Sequence, residues 1–468
     1  MSALITLDNV TVAAADNVLV QPLSLSVNRG EPLTILGETG SGKSLLAQAI
    51  MGTLPASLTM QGTVSIQQQP LDIAARRQLW GKQISMLPQE PWQALDPVMP
   101  CEQQVSEVFR YVGNAAAASA QLAARAQLDQ VGLSQVSRQL PQQLSGGMAQ
   151  RVAFAAATAA GAPIIIADEP TKGLDTSQRD GIVQLLKSQT QHGGLLTITH
   201  DVDVARQLGG RIMVMRHGQL LESGSAEQVL SQPQAEYTRA LINAQPQFWP
   251  AATPATAQQP LLDVTDLAQH RGEQLLFQGL SFSLSAGEIL GVYGDSGCGK
   301  STLGDTLLGL LPPASGHIKW QQPLHRSQML KLYQDPPASF STAVTIGTLL
   351  KDLLKRHKLA ASAIAPLLRQ LNLDAALLNR TAKDVSGGEL QRLALLRTML
   401  LSPKFLVADE PSSRLDPITA QQLTQLLVRL AREQQCALVL ISHDKIQLQK
   451  VCDQIIDLKD YQLREVQA

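Results

Sequence analysis

The chain has 468 residues, of which 44% are hydrophobic and 16% charged, and its formal net charge is −1. This length exceeds one ordinary hydrophobic core and predicts two domains of roughly 200–250 residues each. At the level of net charge, the chain shows no electrostatic footprint for nucleic acid or an anionic membrane surface. No apolar run approaches the ~20 residues that span a bilayer, and the first residues lack the pattern of a signal peptide. We therefore expect any membrane role to come through partner proteins.

The first predicted element in chain order is a short apolar strand that enters a glycine-rich turn and then a helix. The turn GETGSGKS at Gly37–Ser44 recurs as GDSGCGKS at Gly294–Ser301, again between a strand and a helix. In this pattern backbone N–H groups surround phosphates, the lysine binds the β and γ oxygens, and the last hydroxyl binds Mg²⁺. The residues predicted to contact nucleotide are Gly37, Glu38, Thr39, Gly40, Ser41, Gly42, Lys43 and Ser44, with Gly294, Asp295, Ser296, Gly297, Cys298, Gly299, Lys300 and Ser301 in the second copy.

Further along each copy, a short buried strand ends in two acids. IIIADEP at Ile164–Pro170 recurs as FLVADEP at Phe405–Pro411. The aspartates, Asp168 and Asp409, are placed to hold the Mg²⁺ shell, and the glutamates that follow them, Glu169 and Glu410, to polarise an attacking water. A lone acid at a strand end is most often a helix N-cap, but a repeated Asp-Glu pair after a phosphate loop favours catalysis.

The spacing of the repeated motifs shows a duplication. Glu169 and Glu410 are 241 positions apart, whereas Lys43 and Lys300 are 257 apart, so the second copy is trimmed after its phosphate loop. The next strands end in ITHD and ISHD, which carry His200 and His443. Strands that alternate with helices predict a mainly parallel sheet, whose ligands bind beyond the carboxyl ends of the strands.

The segment between the copies is rich in Pro, Ala, Thr and Gln and predicts an extended linker with little capacity to form a core. We therefore predict one domain at 1–244, a linker at 245–260 and a second domain at 261–468. A shorter linker, part of which packs as the tail of the first domain, is equally allowed. The four cysteines, Cys101, Cys298, Cys436 and Cys452, show no zinc spacing and predict free thiols in a reducing compartment.

Just before each acidic strand stands LSGGMAQR at Leu144–Arg151 or VSGGELQR at Val385–Arg392. Leu-Ser-Gly-Gly-x-x-Gln-Arg in this place resembles the signature of the ATP-binding-cassette (ABC) ATPases, and the resemblance covers essentially the whole chain, twice. It implies an α/β fold of two tandem P-loop NTPase domains. Each would have a mainly parallel sheet core, an antiparallel β subdomain and a helical signature subdomain.

The resemblance also implies that two such domains pair head-to-tail over two ATP molecules, each with Mg²⁺. One site would join Lys43, Asp168, Glu169 and His200 with the second signature at Ser386, Gly387 and Gly388. The other would join Lys300, Asp409, Glu410 and His443 with the first signature at Ser145, Gly146 and Gly147. The implied metal-binding set is Ser44, Gln89, Asp168, Ser301, Gln334 and Asp409. Gln89 and Gln334 would also contact a membrane partner, and Asp175 and Asp416 would act across the domain pair.

Because neither glutamate is replaced, we predict two hydrolytically competent sites in which Glu169, Glu410, His200 and His443 act catalytically. The sequence departs from the family pattern where an aromatic residue stacks on adenine, since the positions are Ala14 and Arg271. Aliphatic contacts, or His270 or Arg271 in the second domain, are the remaining candidates to hold the base. Cys298 lies inside the second phosphate loop, which predicts that thiol reagents reach that site.

Three stretches, Met86–Val108, Leu332–Leu350 and Ser231–Pro246, resemble the oligopeptide, dipeptide and nickel importer ATPases. The resemblance implies an importer ATPase at the cytoplasmic face of the inner membrane, with two permease subunits, a solute-binding protein and no nucleic acid as partners. The absence of a cysteine-rich segment after the tail brings the chain nearer the nickel-type members. An exporter ATPase, and a tandem ATPase of translation or DNA repair, are the alternatives; the short, nearly uncharged linker counts against the latter.

Overall fold

The computed structural model of the chain describes residues 2–15, 17–191, 193–252, 259–334 and 339–462. These residues form two compact units, Met1–Ile242 and Asn243–Ala468. Each unit combines parallel and antiparallel sheets with helices, which confirms the α/β fold class predicted from the sequence. Among the described residues, no helix is both long enough and apolar enough to cross a membrane.

The first unit contains one antiparallel sheet and one mainly parallel sheet. Its strands are β1 (Ala3–Ala14), β2 (Asn17–Asn28), β3 (Leu33–Leu36), β4 (Thr59–Ile66), β5 (Gln69–Pro70), β6 (Ile84–Leu87), β7 (Ile164–Asp168), β8 (Gly194–Thr199), β9 (Arg211–Arg216) and β10 (Gln219–Ser225). The antiparallel sheet has the order β2-β1-β4-β5 and the other sheet the order β10-β9-β3-β8-β7-β6. Only β10 runs antiparallel in the second of these sheets.

The helices of the first unit cover both faces of its parallel sheet. They are α1 (Lys43–Met51), α2 (Ile73–Gln78), α3 (Pro91–Ala94), α4 (Cys101–Glu107), α5 (Ala117–Gln130), α6 (Gly146–Thr158), α7 (Thr176–Thr190), α8 (Val202–Leu208), α9 (Ala226–Ser231) and α10 (Glu236–Asn243). One apolar cluster joins α1 to the antiparallel sheet and one face of the parallel sheet, and another joins the helices from α4 to α8 to the opposite face. Because both faces are covered, β7 and β8 are buried along their whole length, as expected of parallel strands.

The second unit repeats this arrangement with fewer elements. Its strands are β11 (Pro260–Arg271), β12 (Gln274–Ser285), β13 (Ile289–Tyr293), β14 (Ser315–Trp320), β15 (Met329–Leu332), β16 (Phe405–Asp409), β17 (Ala437–Ile441) and β18 (Gln454–Asp457). Its helices are α11 (Lys300–Leu307), α12 (Ile346–His357), α13 (Ile364–Gln370), α14 (Gly387–Met399), α15 (Pro417–Glu433) and α16 (Lys445–Val451). The parallel sheet has the order β15-β16-β17-β13-β18, and the antiparallel sheet the order β12-β11-β14. Within the described residues, the trimmed stretch corresponds to β5 and α2 of the first unit.

The segment predicted as linker contributes to the second unit. Trp249 is only 3% exposed and belongs to the same apolar cluster as Leu448 and Val451 of α16. Its indole Nε1 donates a hydrogen bond to the carbonyl oxygen of Ala244 at 2.7 Å, and Ala252 N donates to the carbonyl of Lys450. In the first unit the equivalent helix, α8, is covered by α9 instead. The linker prediction also includes residues 253–258, which lie outside the described residues.

Candidate functional site

The two phosphate loops have the same backbone course. Gly42 and Gly299 stand immediately before α1 and α11 with φ angles of 92° and 104°, a left-handed conformation that glycine adopts without strain. Lys43 Nζ donates to the carbonyls of Gly37 at 2.7 Å and Glu38 at 2.8 Å. Lys300 Nζ donates to the carbonyl of Gly294 at 2.7 Å and to that of the next residue at 3.0 Å. Each ammonium is therefore held inside its own loop, where a phosphate would be cradled.

The two acidic residues after each buried strand lie at its carboxyl end, beside the phosphate loop. Glu169 and Glu410 both have positive φ angles, 47° and 45°, which a non-glycine residue seldom adopts. A backbone hydrogen bond to the neighbouring strand, from Glu169 N to Ile198 and from Glu410 N to Ile441, holds each conformation. Strain repeated at the same place in both copies is typical of a residue that must point into a site.

In the first unit, the glutamate lies against the predicted histidine and the phosphate-loop lysine. His200 Nδ1 is 2.8 Å and Lys43 Nζ is 4.0 Å from the Glu169 carboxylate. Burial raises the pKa of Glu169, but the His200 and lysine charges outweigh burial and hold that pKa below its usual value. Burial lowers the pKa of His200, whereas the Glu169 carboxylate outweighs it and raises that pKa above its usual value. The carboxylate and imidazole are therefore in direct contact beside the phosphate loop, as the prediction of Glu169 as a base requires.

In the second unit, the glutamate has a different closest partner. Gln334 Nε2 donates to Glu410 Oε2 at 3.0 Å, while His443 Nδ1 lies 3.7 Å from the same oxygen. Lys300 Nζ is 3.8 Å from the carboxylate, much as in the first unit. Gln89, the counterpart of Gln334, makes no side-chain hydrogen bond to a described residue. Among the described residues, the predicted glutamine therefore donates a hydrogen bond to the glutamate in the second unit and not in the first.

The residues predicted to bind Mg²⁺ offer a suitable donor set. Asp168 is 5% exposed, and its Oδ1 is buried without a hydrogen-bond partner among the described residues. Burial raises the pKa of Asp168 to about 6, against the opposing effect of the Ser44 hydroxyl beside it. Ser301 Oγ donates to Asp409 Oδ1 at 3.1 Å in the second unit. A serine hydroxyl and an aspartate oxygen without a partner are both ligands that a hard cation prefers. Such a cation binds through one or two carboxylates together with phosphate oxygens.

The signature residues form the starts of two helices. Ser145 caps α6 and Ser386 caps α14, and each serine oxygen accepts a backbone N–H, from Met148 and Glu389 respectively. Ser386 also donates its hydroxyl to the Glu389 carboxylate at 2.6 Å. The serines and the glycines that follow them, Gly146 and Gly387, are exposed, whereas Gly147 and Gly388 pack towards α7 and α15. The partial positive charge of a helix start favours an anion at such a position.

Two predicted positions have local structural roles. Asp175 and Asp416 are helix N-caps, which accept the backbone N–H of Gln178 at 2.9 Å and of Thr419 at 3.1 Å. Their predicted role across the domain pair stays a prediction. The positions expected to face adenine, Ala14 and Arg271, end the long strands β1 and β11 at hairpin turns.

The expectation that thiol reagents reach Cys298 stays a prediction, and the burial of its side chain argues against it. Its side chain is only 6% exposed and belongs to the apolar core of the second unit. Burial raises the pKa of the Cys298 thiol, although the nearby Lys300 charge opposes this. The residue at the same place in the first loop, Ser41, is likewise buried, 1% exposed. All four cysteines of the chain are free.

Sequence reasoning missed one residue beside the second site. Lys331, on β15, reaches the Asp409 carboxylate. No motif contains this lysine, but a comparison of the two copies would have found it, because the first copy has Met86 at the same place in the sheet.

The ABC transporter family model matches the chain twice, at residues 20–172 and 277–413. The chain belongs to this family. It is 33% identical over 96% of its length to the ABC transporter ATP-binding protein YejF of Escherichia coli K12, of which 91% is covered. It is 34% identical to the peptidoglycan transport ATP-binding protein YejF of Agrobacterium fabrum, with 92% of this chain and 85% of that protein covered. It is 33% identical to the glutathione import ATP-binding protein GsiA of Salmonella typhi, with 93% and 81% covered.

Solved structures agree on the tandem fold. The RNase-L Inhibitor superposes with a TM-score of 0.65 at 21% identity, covering 94% of this chain and 85% of that one. The archaeal ribosome recycling factor aABCE1, in its complex with aP1, gives a TM-score of 0.68 at 20% identity, with 97% and 87% covered. At this identity the likeness supports the fold alone. Family membership shows that the chain carries two ATP-binding domains and is an ATPase, as predicted.

Proposed function

We propose that this chain is the energy-coupling ATPase of an importer for small peptides or peptide-like solutes. The observation that carries the proposal is the pair of glutamates, Glu169 and Glu410, each held at positive φ beside a phosphate-loop lysine. The names of the relatives YejF and GsiA, which refer to peptidoglycan transport and glutathione import, indicate the solute class. None of the relatives named above refers to nickel, so nickel is not part of the proposal.

The chemistry follows from positioning and charge. Lys43 and Lys300 would bind the terminal phosphates of ATP, and Asp168 with Ser44, and Asp409 with Ser301, would hold Mg²⁺, which supplies charge stabilisation there. Glu169 and Glu410 would orient and polarise the attacking water. As the family resemblance implies, each phosphate loop would work with the exposed signature serine of the other domain, Ser386 or Ser145.

Energy coupling requires contact with membrane permeases, at the cytoplasmic face of the inner membrane. The segment after Gln89 exposes two large apolar side chains, Trp92 at 42% and Val98 at 79%. Exposed aromatic residues rimmed by polar ones are typical of protein interfaces. We propose that this segment docks on a permease, and that a solute-binding protein delivers the solute from the other side.

The test is transport in a rebuilt system. The full chain would be reconstituted into proteoliposomes with its two permease subunits and binding protein, and ATP-dependent uptake of labelled glutathione and a labelled tripeptide would be measured. We expect uptake that depends on ATP and is abolished by the double change Glu169→Gln, Glu410→Gln. Trp92→Ala should lower uptake about tenfold while ATP hydrolysis by the isolated chain stays within about twofold. ATP-driven efflux of the same solutes instead of uptake would reject the importer assignment in favour of an exporter.

A further inference from the structure

A buried lysine sits beside the acidic residue of the second site. Lys331, on β15, has a side chain only 9% exposed. Its Nζ donates to Asp305 Oδ1 at 2.8 Å and lies 3.2 Å from Asp409 Oδ2. A lysine is seldom buried unless its charge is compensated, and here two carboxylates share one ammonium.

The first unit has uncharged residues at the positions of Lys331 and Asp305. Lys331 pairs with Val407 in the sheet, two residues before Asp409, and Met86 pairs with Ile166, two residues before Asp168. The partner acid also differs, since Asp305 stands five residues after Lys300 whereas Gln48 stands five residues after Lys43. At these two positions the second copy therefore has a cation and an extra anion, and the first copy has neither.

A purely structural role for Lys331 would need only one carboxylate. Asp305 alone neutralises the ammonium, and both residues could be replaced together by the uncharged pair of the first unit. The contact with Asp409 does more, because the other oxygen of that carboxylate, Oδ1, bonds to Ser301. Lys331 thus holds the side chain on which the predicted Mg²⁺ site of the second unit depends.

We propose that Lys331 is a positioning residue that makes the second nucleotide site need more Mg²⁺ than the first. The inference rests on the proposed ATPase function of both sites. Its physical basis is that a positive charge in direct ion pairing with Asp409 opposes a divalent cation at the same carboxylate. Asp168 has no ion-pair partner among the described residues and meets the Lys43 and Lys172 charges only at longer range. Asp305 offsets part of this repulsion, so we expect a difference of about tenfold in the Mg²⁺ concentration that half-saturates each site.

The test uses the full chain and a binding readout. Lys43→Ala isolates the second site and Lys300→Ala the first, and binding of a fluorescent ATP derivative is followed as Mg²⁺ is raised. We expect half-saturation at about tenfold higher Mg²⁺ for the second site. The double change Lys331→Met, Asp305→Gln should bring the second site to the value of the first. The reciprocal change Met86→Lys, Gln48→Asp should raise the requirement of the first site, while Lys331→Arg should keep the high value of the second.

Equal Mg²⁺ requirements at the two isolated sites would overturn the proposal, as would a second site that Lys331→Met, Asp305→Gln leaves unchanged. Should the Lys331→Met, Asp305→Gln variant fail to fold, the Met86→Lys, Gln48→Asp variant of the first unit tests the proposal by itself. Failure of the ATPase function looks different, because the fluorescent nucleotide would then bind to neither isolated site at any Mg²⁺ concentration.

Discussion

The two nucleotide sites of this chain share a backbone and differ in the side chains around it. Both have a left-handed glycine before the lysine helix and a left-handed glutamate after the acidic strand. In the first unit His200 is the close neighbour of the glutamate, and in the second Gln334 takes that place. The motifs place the same residue types in both sites, but the side chain within hydrogen-bonding distance of the predicted catalytic glutamate differs between them.

The largest expected effect tests whether both sites hydrolyse ATP. Glu169→Gln and Glu410→Gln each remove the carboxylate that would polarise water while keeping its shape. Loss of such a group costs about 10²–10⁴ in rate at the affected site. Steady-state ATP hydrolysis should fall in each single variant, with nucleotide binding retained as the control. A single variant that hydrolyses at the wild-type rate would show that its site does not contribute, and would end the two-site prediction.

The next largest effect concerns the helix that follows the predicted histidine, which is α8 in the first unit and α16 in the second, and the residues that cover it. Trp249 fills part of the second unit's core beside α16, so Trp249→Ala should destabilise that unit by about 3–5 kcal/mol. Thermal unfolding with a probe in each unit should show the second transition lowered and the first unmoved. The adjacent Phe248, 53% exposed, gives the matched control, since Phe248→Ala should change little. Equal effects of the two changes would mean that the linker does not stabilise the second unit.

Sequence alone predicts the parts of the sites that are encoded locally. The strand–turn–helix at Gly37–Ser44 and the acids at Asp168 and Glu169 follow from short motifs and strand order. Contacts between distant segments do not, because they depend on side-chain geometry across the sheet. Trp249 illustrates this, since the composition of its segment predicts an extended linker, yet one large apolar residue is enough to anchor part of it.

A smaller effect distinguishes the partners of the two glutamates. His200 lies 2.8 Å from Glu169, but His443 lies 3.7 Å from Glu410. We therefore expect His200→Ala to slow its site about tenfold more than His443→Ala slows the other, as measured by single-turnover hydrolysis. Gln334→Ala should in turn cost more than Gln89→Ala. If both histidine variants lose activity equally, the difference between the sites does not persist once nucleotide is bound.

The smallest expected effect concerns one of the three differences between the phosphate loops, Cys298 in place of Ser41. Both side chains point into the core, so Cys298→Ser should change ATP hydrolysis by less than about twofold. Burial raises the pKa of the Cys298 thiol, and a thiol kept protonated and covered reacts slowly with maleimides near neutral pH. Labelling followed by mass spectrometry should find Cys298 unmodified in the native chain and modified in denaturant. Rapid labelling of the native chain that ATP suppresses would instead mean that the second loop opens in solution. The two loops would then differ in mobility although their backbone conformations agree.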